Sequence, residues 1–187
     1  LTVAHLFDPE ILHQIVRDVI GQPLPKIIEQ ITRELNDRYP GHIVQNGEWI
    51  FNNAGGAMGQ MLILHASITE YVMIFGTPVG TEGHSGRFYA KDFFFILEGE
   101  QWAYAEGDLG KRVYKPGYLH VLAPGTAEGY RMPEGCYALE YARGIIPAML
   151  PFGLADAVSS TLDFSAVART FGAYTKAVLS NLARGKL

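Results

Sequence analysis

Between residues 43 and 142 the chain keeps repeating one unit, a short apolar run closed by turn residues. The runs are Trp49-Ile-Phe51, Met61-Leu-Ile-Leu-His-Ala66, Tyr71-Val-Met-Ile-Phe75, Phe93-Phe-Phe-Ile-Leu97, Gln101-Trp-Ala-Tyr104, Arg112-Val-Tyr114, Tyr118-Leu-His-Val-Leu122 and Tyr137-Ala-Leu-Glu-Tyr141. Turn residues separate them: the stretch Gly76 to Gly86, then Glu98-Gly99, Gly107 to Gly110, Pro116-Gly117, Pro124-Gly125 and Pro133-Glu-Gly135. About eight short strands at this spacing fit a mainly β fold, a sandwich or barrel, with a jelly roll as the leading form.

Both flanks read as helix. Asp8-Pro9 supplies a capping side chain and a first-turn proline, and Ile11, Leu12, Ile15, Val16 and Val19 follow at helical spacing. After the break at Gly21-Gln-Pro23, Ile27, Ile28, Ile31 and Leu35 share a second helical face that ends near Tyr39-Pro40. We therefore expect one domain in three parts: N-terminal helices over 1–42, a barrel over 43–144 and a helical cap over 145–187.

The C-terminal part is weakly charged. Between Gly144 and Leu162 the only charge is Asp156, and the last helix carries its cations at Arg169, Lys176 and Arg184, on one narrow stripe. Two readings fit: a cap on the core, or a cap that also lies against a membrane with its cations at the headgroups. A net charge of −4 with no Lys/Arg cluster gives no reason to expect nucleic acid. No signal peptide or 18-residue apolar helix is present. Because the sequence starts at Leu1 rather than Met, a segment removed upstream is expected. The single cysteine, Cys136, reads as a small buried hydrophobe.

The run Cys136-Tyr-Ala-Leu-Glu-Tyr-Ala142 holds the first site candidate. On a strand, Cys136, Ala138, Glu140 and Ala142 share a face, and three of the four are small or apolar. A carboxylate there is paired, held neutral by a raised pKa, or waiting for a cation. Asp92, before the most aromatic run, and Glu70, before Tyr71, are the other carboxylates set against strands. In the bland account each ends or caps a strand, with Glu140 paired to Arg143. In the sharper one, two carboxylates face one apolar interior. Burial can raise a carboxyl pKa by about 3–5 units, keeping one acid protonated while an ionised partner acts as base.

Other chemistries fail on spacing. Pro116-Gly-Tyr-Leu-His120 resembles the second motif of cupin barrels, whose metal site needs a His-x-His, a Glu and a further His. Only His120 is in place, so no metal is expected. His65, in an apolar strand, reads as a hydrogen-bonded core histidine. Asn53-Ala-Gly-Gly-Ala-Met-Gly59 lacks the spacing and the following helix of a phosphate loop, and no G-x-S-x-G elbow exists.

Five segments then share one resemblance: Asn53 to Gly59, His65-Ala-Ser-Ile-Thr-Glu-Tyr-Val72, Gly83-His-Ser-Gly-Arg-Phe88, Leu139-Glu-Tyr-Ala-Arg-Gly-Ile-Ile-Pro147 and Leu154-Ala-Asp-Ala-Val-Ser-Ser-Thr-Leu-Asp-Phe164. In order, from about Phe7 to Tyr174, they resemble the family of the fungal-type Δ8–Δ7 sterol isomerase and the animal sigma-1 receptor. The opening Phe7-Asp-Pro-Glu-Ile-Leu12 looks more like the isomerase branch. The resemblance implies a cupin-like barrel capped by two C-terminal membrane-apposed helices, an N-terminal membrane anchor missing from this chain, residence in the endoplasmic reticulum and a homotrimer. It implies a step of ergosterol-type sterol biosynthesis with no cofactor, a sterol as substrate, and cationic amines as inhibitors. The alternative it leaves open is a non-enzymatic receptor for cationic amphiphiles or sterols.

Residue by residue, Glu140 matches the family's acidic residue that meets the ligand ammonium, and Tyr71 the tyrosine that braces it. Met61, Phe75, Leu150 and Tyr174 match pocket walls. The second family carboxylate falls on Phe94 if no gap is allowed from Gly83 onward, and on Asp92 if two residues are skipped. Asp92 is carried as the partner. His120 lies two residues from a family histidine and is carried as a ligand contact.

Overall fold

The computed structural model describes residues 4–187, so the first three positions of the N-terminal part lie outside it. Ten strands form two antiparallel sheets. The larger runs β1 (Ile50–Ala54), β2 (Ala57–Ala66), β3 (Glu70–Thr77), β10 (Cys136–Arg143), β5 (Lys91–Glu98), β8 (Leu119–Leu122) in spatial order. The smaller runs β4 (Thr81–His84), β9 (Glu128–Met132), β6 (Gln101–Ala105), β7 (Arg112–Tyr114). Among the described residues no ladder joins the two sheets, so the expected barrel is a roll of two facing sheets.

The larger sheet is covered on both sides. Helices α1 (Pro9–Val19) and α2 (Leu24–Arg38) lay Leu12, Ile15, Ile27, Ile31 and Leu35 on one face, against Ile74, Phe93, Phe95, Leu139 and Tyr141. Asp8 caps α1 as its sequence suggests, accepting from the Glu10 amide at 2.9 Å. The central strand β10 is buried almost throughout: Tyr137, Leu139 and Tyr141 face the helices, Cys136 and Ala138 the interior between the sheets. Cys136 is packed there as a hydrophobe, and burial pushes its thiol up to about 12.

Two strands lie outside the expected runs: β4 falls within the turn stretch Gly76 to Gly86, and β9 between the turns at Pro124-Gly125 and Pro133-Glu-Gly135. Thr81-Glu-Gly-His84 is polar and half exposed, with no apolar alternation to reveal it. In β9, Gly129 lies under the Tyr104 ring, where an added Cβ would come within 2.4 Å of ring carbons. Gly129 is the cross-strand partner of Tyr104 in β6, and its missing side chain leaves room for that ring to lie over the strand. The glycine-rich Asn53 to Gly59 is the β1–β2 hairpin, with Gly55 and Gly56 at φ +61° and +84° in its two-residue turn.

The C-terminal part begins with a 3-10 turn (Ile146–Met149), followed by α3 (Leu150–Ser159) and α4 (Phe164–Leu182). Asp156 accepts from the Gly56 amide at 2.9 Å and ties α3 to the hairpin. Helix α4 buries Ala166, Thr170, Ala177 and Asn181 inward, while Phe164, Phe171 and Leu179 stay 60%, 57% and 60% exposed along one outer stripe. Two cations of this C-terminal segment, one on α4 and one just past its end, are engaged by the protein. Arg169 bonds Glu48 at 3.2 Å and the Trp49 carbonyl at 2.9 Å, and Arg184 turns back to Ser180. No helix among the described residues is long and apolar enough to cross a membrane.

Glu70 secures the two ends of the chain. Fully buried, it accepts from the Leu6 amide at 2.6 Å and Tyr141 at 2.8 Å, and pairs with Lys186 at 2.9 Å. Burial opposes its charge, but the Leu6 amide, Lys186 and Tyr141 outweigh that and lower its pKa. Lys186→Met should leave this carboxylate without its cation and cost about 3 kcal/mol, near the lower end for a broken buried pair. Thermal melting would show it as a Tm lowered by roughly 6–12 °C. An unchanged Tm would refute the role.

Candidate active site

Strand parity decides which carboxylates meet. In β3, Glu70 faces the helices, so its neighbour Tyr71 faces the interior with Met73 and Phe75. Glu140 of β10 lies opposite Phe94 of β5, and Ala142 opposite Asp92. Glu140 and Asp92 are therefore diagonal neighbours on the same inward face, within reach of one another. Arg143 points the other way, its guanidinium over the Phe93 ring at 5.1 Å, and is no partner for Glu140.

These groups surround a cavity of about 200 Å³ between the two sheets, roofed by the 3-10 turn, α3 and α4. All nine residues singled out from the sequence line it: Glu140, Asp92, Tyr71, Met61, Phe75, Phe94, His120, Leu150 and Tyr174. Glu70 does not. Most of the wall is apolar, including Met149, Phe152 and Leu154 from the roof.

Tyr71 donates its hydroxyl to Glu140 Oε1 at 2.5 Å. Burial raises the Glu140 pKa to about 7, against the hydrogen bonds from Tyr71 and Asp92 that favour its charge. Asp92 is raised well above the ordinary carboxyl range, first by burial, then by the Glu140 charge and by donating its proton toward Glu140. Its Oδ1 is buried without a hydrogen-bond donor among the described residues. An ionised Asp92 would leave that oxygen unsatisfied, whereas a protonated one hydrogen-bonds Glu140. The two carboxyls thus titrate as a unit: burial raises both, Asp92 further than Glu140, whose charged form the Tyr71 hydroxyl favours. Burial first, and then the neighbouring carboxyls, raise the pKa of Tyr130. A neutral acid and a carboxylate side by side in an oily chamber can give a proton, take one, and stabilise a cation between.

A second polar group lines the same cavity. Both His120 ring nitrogens are engaged, Nδ1 with Gln101 Oε1 at 2.7 Å and Nε2 with Glu128 Oε2 at 2.6 Å, and the ring stacks on Tyr114. Arg112 bonds the other Glu128 oxygen at 2.8 Å. Glu128 escaped the sequence reading because β9 did, whereas Gln101 opens a run that was read as a strand but carries no local signal of a site. Once Glu128–Met132 is recognised as a strand, alternation sends Glu128, Tyr130 and Met132 inward together. His65 lies on the far side of the sheet as a buried histidine. Its Nδ1 bonds the His42 carbonyl at 2.8 Å, its Nε2 has no partner among the described residues, and burial lowers its pKa to about 4.

The C-8 sterol isomerase of Neurospora crassa is 52% identical over 187 residues, covering 97% of this chain and 73% of that protein. The sigma non-opioid intracellular receptor 1 of Gallus gallus is 39% identical over 175 residues, covering 92% and 79%. Among solved structures, an RmlC-like cupin from Shewanella frigidimarina aligns with a TM-score of 0.45 at 17% identity, over 53% of this chain and 85% of that one. The sequence model described as ERG2 and Sigma1 receptor like protein matches residues 1–186, and the chain belongs to that family.

Proposed function

We propose that the protein is an enzyme, a sterol isomerase that moves the B-ring double bond from the 8 to the 7 position in ergosterol-type sterol biosynthesis. The observation that carries this is the Asp92–Glu140 pair, two buried carboxyls set diagonally across β5 and β10 on one inward face of an apolar cavity, with burial raising both pKa values. Similarity to proteins named C-8 sterol isomerase supports the substrate class. Protonated Asp92 donates to C9, which leaves a carbocation at C8 beside the Glu140 carboxylate. Glu140 then removes a proton from C7, and its electrons form the 7,8 double bond. One proton enters and one leaves, so the products balance. The dyad ends with its proton on Glu140, and passing it back to Asp92 through their hydrogen bond restores the starting state. Proton relocation calls for no redox step or metal.

The roof offers the sterol a route. An outer stripe of Phe164, Phe171 and Leu179 suits the apolar boundary of a bilayer, and Leu150 and Tyr174 on the same two helices reach the cavity. Seating against the endoplasmic reticulum membrane and assembly as a homotrimer are part of the proposal and rest on the family.

A second reading has one observation behind it. An ammonium group would find in Glu140 a buried carboxylate already oriented by Tyr71, as in a receptor for cationic amphiphiles without chemistry. Complementation of a sterol-isomerase-deficient yeast separates the two. Growth with restored 7-ene sterol supports the enzyme, and absence of conversion at normal expression favours the receptor. The pH profile of turnover on an 8-ene sterol adds a sharper check. Glu140 must be ionised and Asp92 protonated, so kcat/KM should rise as pH increases through about 7 and fall again as Asp92 ionises at higher pH. A rate constant across pH 5 to 9 would count against the dyad.

A further inference from the structure

The polar group around His120 joins the edge strand β8 of the larger sheet, next to the strand of Asp92, to β6 and β9 of the smaller one. Glu140, Phe94 and His120 stand in one row across β10, β5 and β8. Two inter-strand steps put the backbone of Glu140 and His120 about 10 Å apart, with the Phe94 ring between them. Facing His120 from the smaller sheet are Gln101 and Glu128, and all three line the cavity.

His120 itself has nothing left to offer a ligand, since both nitrogens are engaged and the ring is stacked. Its two partners do. Gln101 is buried, one end of its amide meets His120, and the other has no hydrogen-bond partner among the described residues. With Oε1 on His120, the Nε2 amide donor is left over toward the cavity. Each Glu128 oxygen takes one bond, from Arg112 or from His120, and keeps a lone pair free. A free amide end beside a carboxylate with spare acceptor capacity suits a group that both donates and accepts. A hydroxyl is that group, and an ether or a methylene is not.

We propose that Gln101 and Glu128 form a hydroxyl-binding subsite that holds the 3-hydroxyl of the sterol, with His120 as the positioning residue that fixes them both. This rests on the isomerase reading above. The hydroxyl is anchored at one end of a row and the acid pair stands at the other. The A and B rings then lie along Phe94, and the B-ring is presented to Asp92 and Glu140. Arg112 neutralises Glu128 from behind, so the subsite adds no net charge to compete with the dyad for a cation.

The test compares a 3β-hydroxy 8-ene sterol with its 3-deoxy and 3-O-methyl analogues. In the wild-type protein kcat/KM should be at least on the order of 100-fold lower for both analogues, because losing the hydroxyl leaves buried polar groups unpaired. Gln101→Met, of similar shape, should lose activity on the hydroxy sterol while barely changing the 3-deoxy rate, so that the ratio between them shrinks to a few-fold. Equal wild-type rates on all three substrates overturn the subsite, and so does a Gln101→Met enzyme that keeps the full ratio. Should that variant not fold, the wild-type ratios decide. Should none of the sterols be converted, the isomerase reading falls separately, and the ratio of their dissociation constants tests the subsite instead.

Discussion

Glu140→Gln is expected to abolish conversion of an 8-ene sterol and leave the protein folded. The amide keeps the shape of the side chain and still accepts from the Tyr71 hydroxyl, so the contact that orients it is preserved. What disappears is the charge. Removing a general base costs about 10²–10⁴ in rate, and losing the electrostatic partner of a developing cation costs about 10²–10³ more. The effects overlap, and a loss of at least about 10⁴ is the expected result. Affinity for a cationic amine should fall as well, since the same carboxylate meets the ammonium. Stability should not fall. A buried carboxyl with a raised pKa binds more protons folded than unfolded. Between its ordinary value of 4.5 and about 7, Glu140 therefore makes the fold less stable as pH rises. The variant removes that penalty, and its melting temperature should equal or exceed the wild type's at pH 8, with a flatter dependence between pH 5 and 8. Retained turnover in a folded variant would end the role assigned to Glu140.

The legible part of this site followed from period-two alternation. Along Cys136 to Ala142 it separated Glu140 from Tyr137, Leu139 and Tyr141, and the fold places those groups on opposite faces of β10. The same rule set Asp92 on a common face with Phe94, so that either alignment of the second carboxylate pointed into one chamber. It could also have retired Glu70 early, because adjacent strand residues face opposite ways and Tyr71 takes the inward side. Alternation failed where the strands are polar. Thr81 to His84 and Glu128 to Met132 hold glycines and charges, and they become strands only because they pair with each other and, through β9, with β6. The network of Gln101, His120, Glu128 and Arg112 joins residues from four strands in two sheets, and no local period announces a contact of that kind. Closure was not legible for a related reason. The expected cupin-like jelly roll holds, but whether its two sheets join along their edges depends on pairing that no single run encodes.

Asp92→Asn isolates proton donation from everything else the pair does. Asparagine presents an amide N–H where the Asp92 proton lies in the resting dyad, so it can still donate a hydrogen bond to Glu140. It is also uncharged, as the protonated acid is. The electrical surroundings of Glu140 are therefore nearly those of the working state, and the buried Oδ1 position no longer needs a proton to avoid an unsatisfied charge. Only the capacity to hand a proton to carbon is gone. Turnover should drop by about 10³–10⁴, near the upper end for a general acid, because an unactivated alkene has no other route to its cation. Amine affinity should stay within a few-fold of wild type, in contrast to Glu140→Gln, where turnover and amine affinity fall together. If Asp92→Asn turns over within tenfold of wild type, the acid is another group. Tyr130, whose pKa both carboxyls help raise, would be the next residue to replace. If turnover and amine affinity are lost together, Asp92 serves to hold Glu140 in place, and the donor and acceptor roles within the pair must be exchanged or shared.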